Sequence, residues 1–174
     1  ELVRQNLWGI FYVPTLPYSN NKVLDVHRIH LLSGAFDGEL LLKLTSDLIT
    51  DEMIPDAKKE EFRADTYKRQ DNYKDVTAFK RILNYYIDYK YREGAIDTIA
   101  NSLGYQFKGT DFYVSMESLE EMKNKGMIVG SHTNSHPVMS KLNAKQQKIE
   151  LEISFSVLCN LTEPRNLTYC HPYG

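Results

Sequence analysis

The sequence predicts an α/β fold built on a parallel sheet, and three observations carry that prediction. Apolar runs at 7–13, 127–130 and 167–170 have strand composition, and segments with helical spacing separate them. Strands alternating with helices indicate a parallel sheet or barrel with right-handed crossovers. A histidine pair, His132 and His136, follows the second run, and the turn His171-Pro172-Tyr173-Gly174 follows the third. Both then stand at strand C-terminal ends on one rim, where α/β proteins bind ligands.

Residues 2–6 read as the last turn of a helix. The run Leu7-Trp8-Gly9-Ile10-Phe11-Tyr12-Val13 is rich in β-branched and aromatic residues, is closed by Pro14 and Pro17, and is expected to be buried on both faces. Tyr18-Ser19-Asn20-Asn21 reads as a loop. Beyond it Leu24, His27 and Leu31, then Phe36, Leu40, Leu44 and Leu48, recur at helical spacing, with Gly34 and Gly38 as interruptions. The charged stretch 51–69 predicts a solvated helix or helix pair around Pro55. Val76, Phe79, Leu83, Tyr86 and Ile87 form an amphipathic stripe expected to end at Gly94, and 95–103 a short helix stopped by Gly104. The block 22–104 is therefore mostly helical. It is long for a simple crossover, so one crossover helix plus an inserted helical subdomain is expected within a single domain spanning 1–174. Its tyrosines, among them Tyr67, Tyr73, Tyr85, Tyr86, Tyr89 and Tyr91, either line a groove or pack as ordinary aromatics.

Phe112-Tyr113-Val114 is a short apolar segment. Ser115 caps a helix with Leu119 and Met122 facing inward, which Lys125-Gly126 ends. After the histidine pair and Pro137, Asn143 with Gln146 forms a capping box. Ile149, Ile153, Ser156, Val157 and Asn160 trace the helix that follows, which Pro164 closes off.

A length of 174 residues fits one domain with a proper core, and 42% hydrophobic with 25% charged residues is ordinary for a soluble globular protein. The formal net charge of −2 gives no polyelectrolyte argument for nucleic acid or an anionic membrane. No apolar run approaches the roughly 20 residues of a membrane span. Cys159 and Cys170 make no disulfide framework and read as small buried hydrophobes, so a reducing cytoplasm is the expected setting. The chain starts at Glu1 without a methionine and stops on a turn, so both ends are read as possible cuts.

Neutral imidazoles are common zinc ligands, and a catalytic zinc adds a third protein ligand and an open position. Two histidines four positions apart are weak evidence alone, since rim histidines also form plain hydrogen bonds. Their surroundings add to the signal. Gly130-Ser131-His132-Thr133-Asn134-Ser135-His136-Pro137 and His171-Pro172-Tyr173-Gly174 resemble the NodB-like polysaccharide deacetylases, a carbohydrate esterase family. The helix before the first piece, residues 152–156 of the helix after it, and Phe11-Tyr12-Val13-Pro14-Thr15 are similar to the same family. The resemblance covers roughly 7–18 and 112–174, while 22–104 looks like a subfamily insertion.

The resemblance implies a distorted (β/α) barrel, here partial, and a metal-dependent hydrolase that removes an N-acetyl group from an amino sugar or glycan precursor. In that family an aspartate and two histidines, matching His132 and His136, hold zinc or another divalent ion that activates water and the acetyl carbonyl. A second aspartate acts as base, and a late histidine protonates the leaving amine. The resemblance gives Tyr173 a backbone oxyanion contact and places Pro172 and Tyr173 against the carbohydrate. Three departures stand out: nothing before Leu7 supplies the paired aspartates, no late histidine motif follows Gly174, and Cys170 replaces a common arginine. A catalytically incomplete carbohydrate-binding member and a hydrolase of a non-sugar amide are therefore the alternatives. Asp25, His27 and His30 read either as a second metal or substrate cluster or as a helix start with packed histidines. Asp25 is also a candidate for the absent metal carboxylate, although it follows the wrong strand.

Overall fold

In the computed structural model, residues 1–66, 72–107, 113–163 and 167–173 are described, all with side chains except 63–66 and 72–74. Tyr67, the side chain of Tyr73, Phe112, Pro164 and Gly174, all named above, and the end of the charged stretch 51–69 lie outside this set. The chain mixes helix and strand and divides into two compact units, one of residues 1–24 and 108–174, the other of residues 25–107.

The first unit carries the sheet. Strand β1 (Ile10–Val13) pairs in parallel with β2 (Ile128–Ser131), with Tyr12 opposite Gly130 and Val13 opposite Ser131. The expected burial of 7–13 on both faces does not hold. Trp8 is 66% and Ile10 40% exposed, and only Val13 enters the core with Leu119, Val129, Leu158 and Leu161. Among the described residues β1 shares a ladder with β2 alone, and Phe11 and Tyr12 are only half-buried. Residues 2–6 form a 3-10 turn, Val3–Gln5, rather than an α-helical end.

Of the expected loop at 18–21, residues 18–20 instead belong to helix α1 (Leu16–Asn20), and Asn21 is its C-cap. Pro17 near its start brings a φ already suited to a helix and no N–H to leave unsatisfied. Tyr18 then donates its hydroxyl to the Val114 carbonyl at 2.8 Å. The expected third strand at 167–170 shrinks to one bridge between Ser131 and Tyr169. Ser131 N–H donates to the Thr168 carbonyl (2.9 Å) and Cys170 N–H to the Ser131 carbonyl (3.0 Å). The ladder stops there because the Cys170 carbonyl accepts from a histidine side chain and Pro172 has no N–H.

The second unit contains α2 (Asp25–Ala35), α3 (Gly38–Leu48), α4 (Asp56–Thr66), α5 (Asn72–Arg81), a π-helical turn (Ile82–Tyr86) and α6 (Tyr89–Ser102). Its core joins Ile29, Leu32, Leu41, Phe79, Leu83, Ile87, Ile96 and Ile99. In α2 the buried stripe is Val26, Ile29 and Leu32 together with Arg28, one face over from the expected His27 and Leu31. Gly94 does not end a helix. The break falls at Asp88, whose carboxylate caps α6 through Lys90 N–H, so Gly94 lies within α6. The tyrosines separate by environment: Tyr86 is buried, Tyr91 packs on the main core and Tyr85 is exposed.

Back in the first unit, α7 (Met116–Asn124) starts on the Ser115 cap, buries Leu119, and closes at Gly126 with φ +84°. Helix α8 (Ala144–Val157) opens on the complete Asn143–Gln146 capping box. Its inward face differs from the expected one. Ile149 and Ile153 are 42% and 40% exposed, whereas Ser154 is buried and Leu158, just past the helix, is sealed in the core. Glu150 and Ser154, one turn apart on one face, make the hydrogen bonds that set this rotation. Cys159 is exposed and Cys170 half-buried, so neither is the buried hydrophobe expected, and neither forms a disulfide.

Candidate metal centre

The candidate centre lies where β2 ends, wholly within the first unit. His132 leaves the strand with its N–H donated to the Val13 carbonyl at 3.0 Å. Its Nδ1 lies 2.8 Å from the Cys170 carbonyl. A carbonyl only accepts, so Nδ1 carries the proton, and in the neutral imidazole Nε2 keeps its lone pair. This is the orientation a carbonyl imposes on metal-binding histidines. The His136 ring stands edge-on to it, with centroids 4.6 Å apart at 78°. Tyr173 closes the other side of His136, at 5.1 Å and 70°. Four residues apart in sequence on a loop, the imidazoles thus meet in space.

The backbone around the pair is held in costly conformations. Thr133 (φ 66°), His136 (φ 56°) and Tyr173 (φ 65°) all adopt the left-handed region without being glycine. Such residues cost about 1–3 kcal/mol each and persist only where the surroundings over-determine them. The surroundings here are specific. Ser131 Oγ pairs with Ser154 Oγ at 2.7 Å in a buried position and accepts from Thr133 N–H at 3.2 Å. Thr133 Oγ1 accepts from His136 N–H at 3.1 Å. Thr15, fully buried beyond β1, donates its hydroxyl to Asn134 Oδ1 (3.1 Å), and Leu16 N–H donates to the Asn134 carbonyl (2.9 Å). From α8, Glu150 accepts from Asn134 N–H (3.0 Å), Ser135 N–H (2.8 Å) and Ser135 Oγ (2.7 Å).

Pro172 is buried, and Tyr173, 36% exposed, lies at the edge of the histidine pair. His171 is turned elsewhere, with its ring 4.9 Å from Tyr169. Burial pushes the Tyr169 phenol above its ordinary value, with Cys170 and Glu150 adding to the rise, so it stays neutral at physiological pH.

The other candidates are placed differently. Asp25 opens α2 in the helical unit, where Arg28 Nη1 (3.1 Å) and Arg92 Nε (3.8 Å) surround its carboxylate. Arg28 also pairs with Asp97 and lies over the Phe107 ring. Two guanidiniums already neutralise Asp25, which makes it a poor metal carboxylate. The second cluster of Asp25, His27 and His30 does not form either: among the described residues, no group of three or more His, Cys, Asp or Glu side chains converges as a metal site. His132 and His136 therefore offer two imidazole donors of the right chemistry for zinc, and the described residues supply no third ligand beside them.

Sequence reasoning assigns no individual role to Thr15, Asn134, Ser154 and Glu150, although the first three lie in segments that carry the resemblance. A signal was present for the last two. Counted from the Asn143 cap, positions 150, 154 and 158 recur at four-residue spacing in one row, and Leu158 at its end is apolar.

Residues 104–174 match the family model described as polysaccharide deacetylase. No curated protein and no solved structure matches the chain. The match holds α7, β2, both histidines, α8 and the Pro172-Tyr173 turn, so this part of the chain is similar to polysaccharide deacetylases of the NodB-like type.

Proposed function

We propose that the protein is a metal-dependent hydrolase that removes an N-acetyl group from an amino sugar or glycan precursor. The observation that carries this reading is the edge-on pair His132–His136, with the His132 tautomer set by the Cys170 carbonyl, inside the deacetylase segment. His132 and His136 would hold a divalent ion, most simply zinc given two imidazoles, with a carboxylate as third ligand. The bound ion would supply Lewis-acid activation of the acetyl carbonyl and of water. In the net reaction the amide C–N bond breaks, a C–O bond forms to water, and the released amine takes up a proton, leaving acetate.

The chain's own residues bind and orient. The backbone around Tyr173 would face the oxygen that gains charge, and buried Pro172 fixes that turn against the sugar. The Cys170 carbonyl holds His132 in the tautomer that leaves Nε2 for the ion. The parallel pair β1–β2 is read as part of a (β/α) barrel, and the helical unit as an insertion into that domain. A catalytically incomplete, carbohydrate-binding member is the second reading, because the described residues bring no carboxylate to the pair.

The deciding experiment compares the protein with its His132→Ala/His136→Ala variant for bound zinc and for acetate released from N-acetylated chito-oligosaccharides. Loss of both in the variant is expected. Equal zinc and equal acetate in the two would refute the assignment. Zinc-dependent sugar binding without acetate release would favour the binding module.

A further inference from the structure

The geometry points to Glu150 as a positioning residue that sets the His132–His136 pair from the neighbouring helix. This inference rests on the metal-binding reading of the pair. Glu150 touches neither imidazole in any described contact; it acts on the two residues between them. One carboxylate oxygen accepts from Asn134 N–H at 3.0 Å and Ser135 N–H at 2.8 Å, and the other from Ser135 Oγ at 2.7 Å. Two successive backbone N–H groups aimed at one anion make a bidentate grip that a single neutral acceptor does not reproduce.

The opposite side of the same loop is held too. Thr15 Oγ1 donates to Asn134 Oδ1 (3.1 Å), and Leu16 N–H donates to the Asn134 carbonyl (2.9 Å). Asn134 is thus fixed through its N–H from α8 and through its carbonyl and side chain from the segment after β1. The loop needs such a grip, because Thr133 and His136 on either side of the gripped residues both stand in the left-handed region. Without it those residues relax toward ordinary φ values. Because His132 stays anchored in the sheet by its N–H to Val13, the relaxation moves His136 and opens the 4.6 Å imidazole spacing. Ser154, one turn further along α8, holds Ser131 at the strand end, so one helix face sets both ends of the loop.

The test measures zinc affinity by competition with a chromophoric chelator, alongside thermal stability. The panel is the full chain, Glu150→Gln, Glu150→Leu, and the destabilised control Leu158→Ala, a core residue whose side chain makes no hydrogen bond. The expected order of affinity is wild type and Leu158→Ala together, then Glu150→Gln, then Glu150→Leu, with losses of about 10–100-fold at Glu150. A merely structural Glu150 would lower the melting temperature, as Leu158→Ala does, and leave the affinity of the folded protein unchanged. Zinc held by Glu150→Gln as tightly as by wild type overturns the inference, whether or not Glu150→Leu folds. A wild type that binds no zinc overturns the metal reading itself, and the inference with it.

Discussion

Gly130→Ala is the sharpest single test of how β1, β2 and the 167–170 segment meet beneath the histidine pair. A Cβ at residue 130 would stand 2.7 Å from Thr168 Cγ2 and 2.8 Å from both Tyr12 Cδ1 and Cε1. Contacts that short do not occur in real structures, so a neighbour must move. Neither is free to do so alone, because Tyr12 and Thr168 bond to each other through their hydroxyls at 2.9 Å, and Tyr12 lies opposite Gly130 in the ladder. Overpacking of this kind costs about 1–3 kcal/mol. Losing the Tyr12–Thr168 bond as the ring swings away adds about 0.5–1.5 kcal/mol. The expected destabilisation is about 2–4 kcal/mol, or a melting temperature lower by roughly 5–15 °C for a chain of this size. Urea denaturation followed by circular dichroism measures it directly. Adding Thr168→Ser removes the clashing methyl, keeps the hydroxyl, and should recover part of the loss. A Gly130→Ala protein within about 0.5 kcal/mol of wild type would show that the three segments are not packed this closely.

Asn143→Ala removes the reciprocal cap of α8, whose side chain accepts from Gln146 N–H while Gln146 accepts from Asn143 N–H. A loss of about 1 kcal/mol is expected in denaturant melts, and no change would mean that tertiary contacts alone hold the start of the helix. The helical unit should lose stability in mild acid. Burial and then His30 hold the His27 imidazole below its ordinary value, and burial and then Lys80 do the same for His30. A lowered folded value means that the unfolded chain takes up protons first. Stability is therefore complete above the unfolded value of about 6.5 and falls as pH drops through it toward the folded values. His27→Gln should flatten the decline in stability between about pH 7 and pH 5, as read from melts across that range, and an unchanged slope would remove His27 as its source.

Much of the site was legible in the sequence because its signals are local. Helix α7 between Ser115 and Gly126, the Asn143–Gln146 capping box and the histidine spacing each depend on residues a few positions apart, whose geometry the backbone period sets. The helix boundaries around Asp88 and Leu16 were less legible. There a side-chain cap and a proline start won over the glycine punctuation read at Gly94 and the loop composition read at 18–21. The face of α8 was misjudged for a related reason. Hydrophobic periodicity favours Ile149 and Ile153, yet the buried hydrogen bonds of Glu150 and Ser154 turn the helix the other way.

From the sequence alone came the α/β class, the helical character of the middle of the chain, and the residue types able to hold a divalent ion. Only the tertiary structure decided that His132 and His136 face each other edge-on, that the Cys170 carbonyl chooses the His132 tautomer, and that Asp25 is bound by arginines in the other unit. The reason is physical. Periodicity and caps act within a turn or two, whereas the grip on the histidine loop joins Thr15, Asn134 and Glu150 across more than a hundred residues, through hydrogen bonds that exist only once the chain has folded.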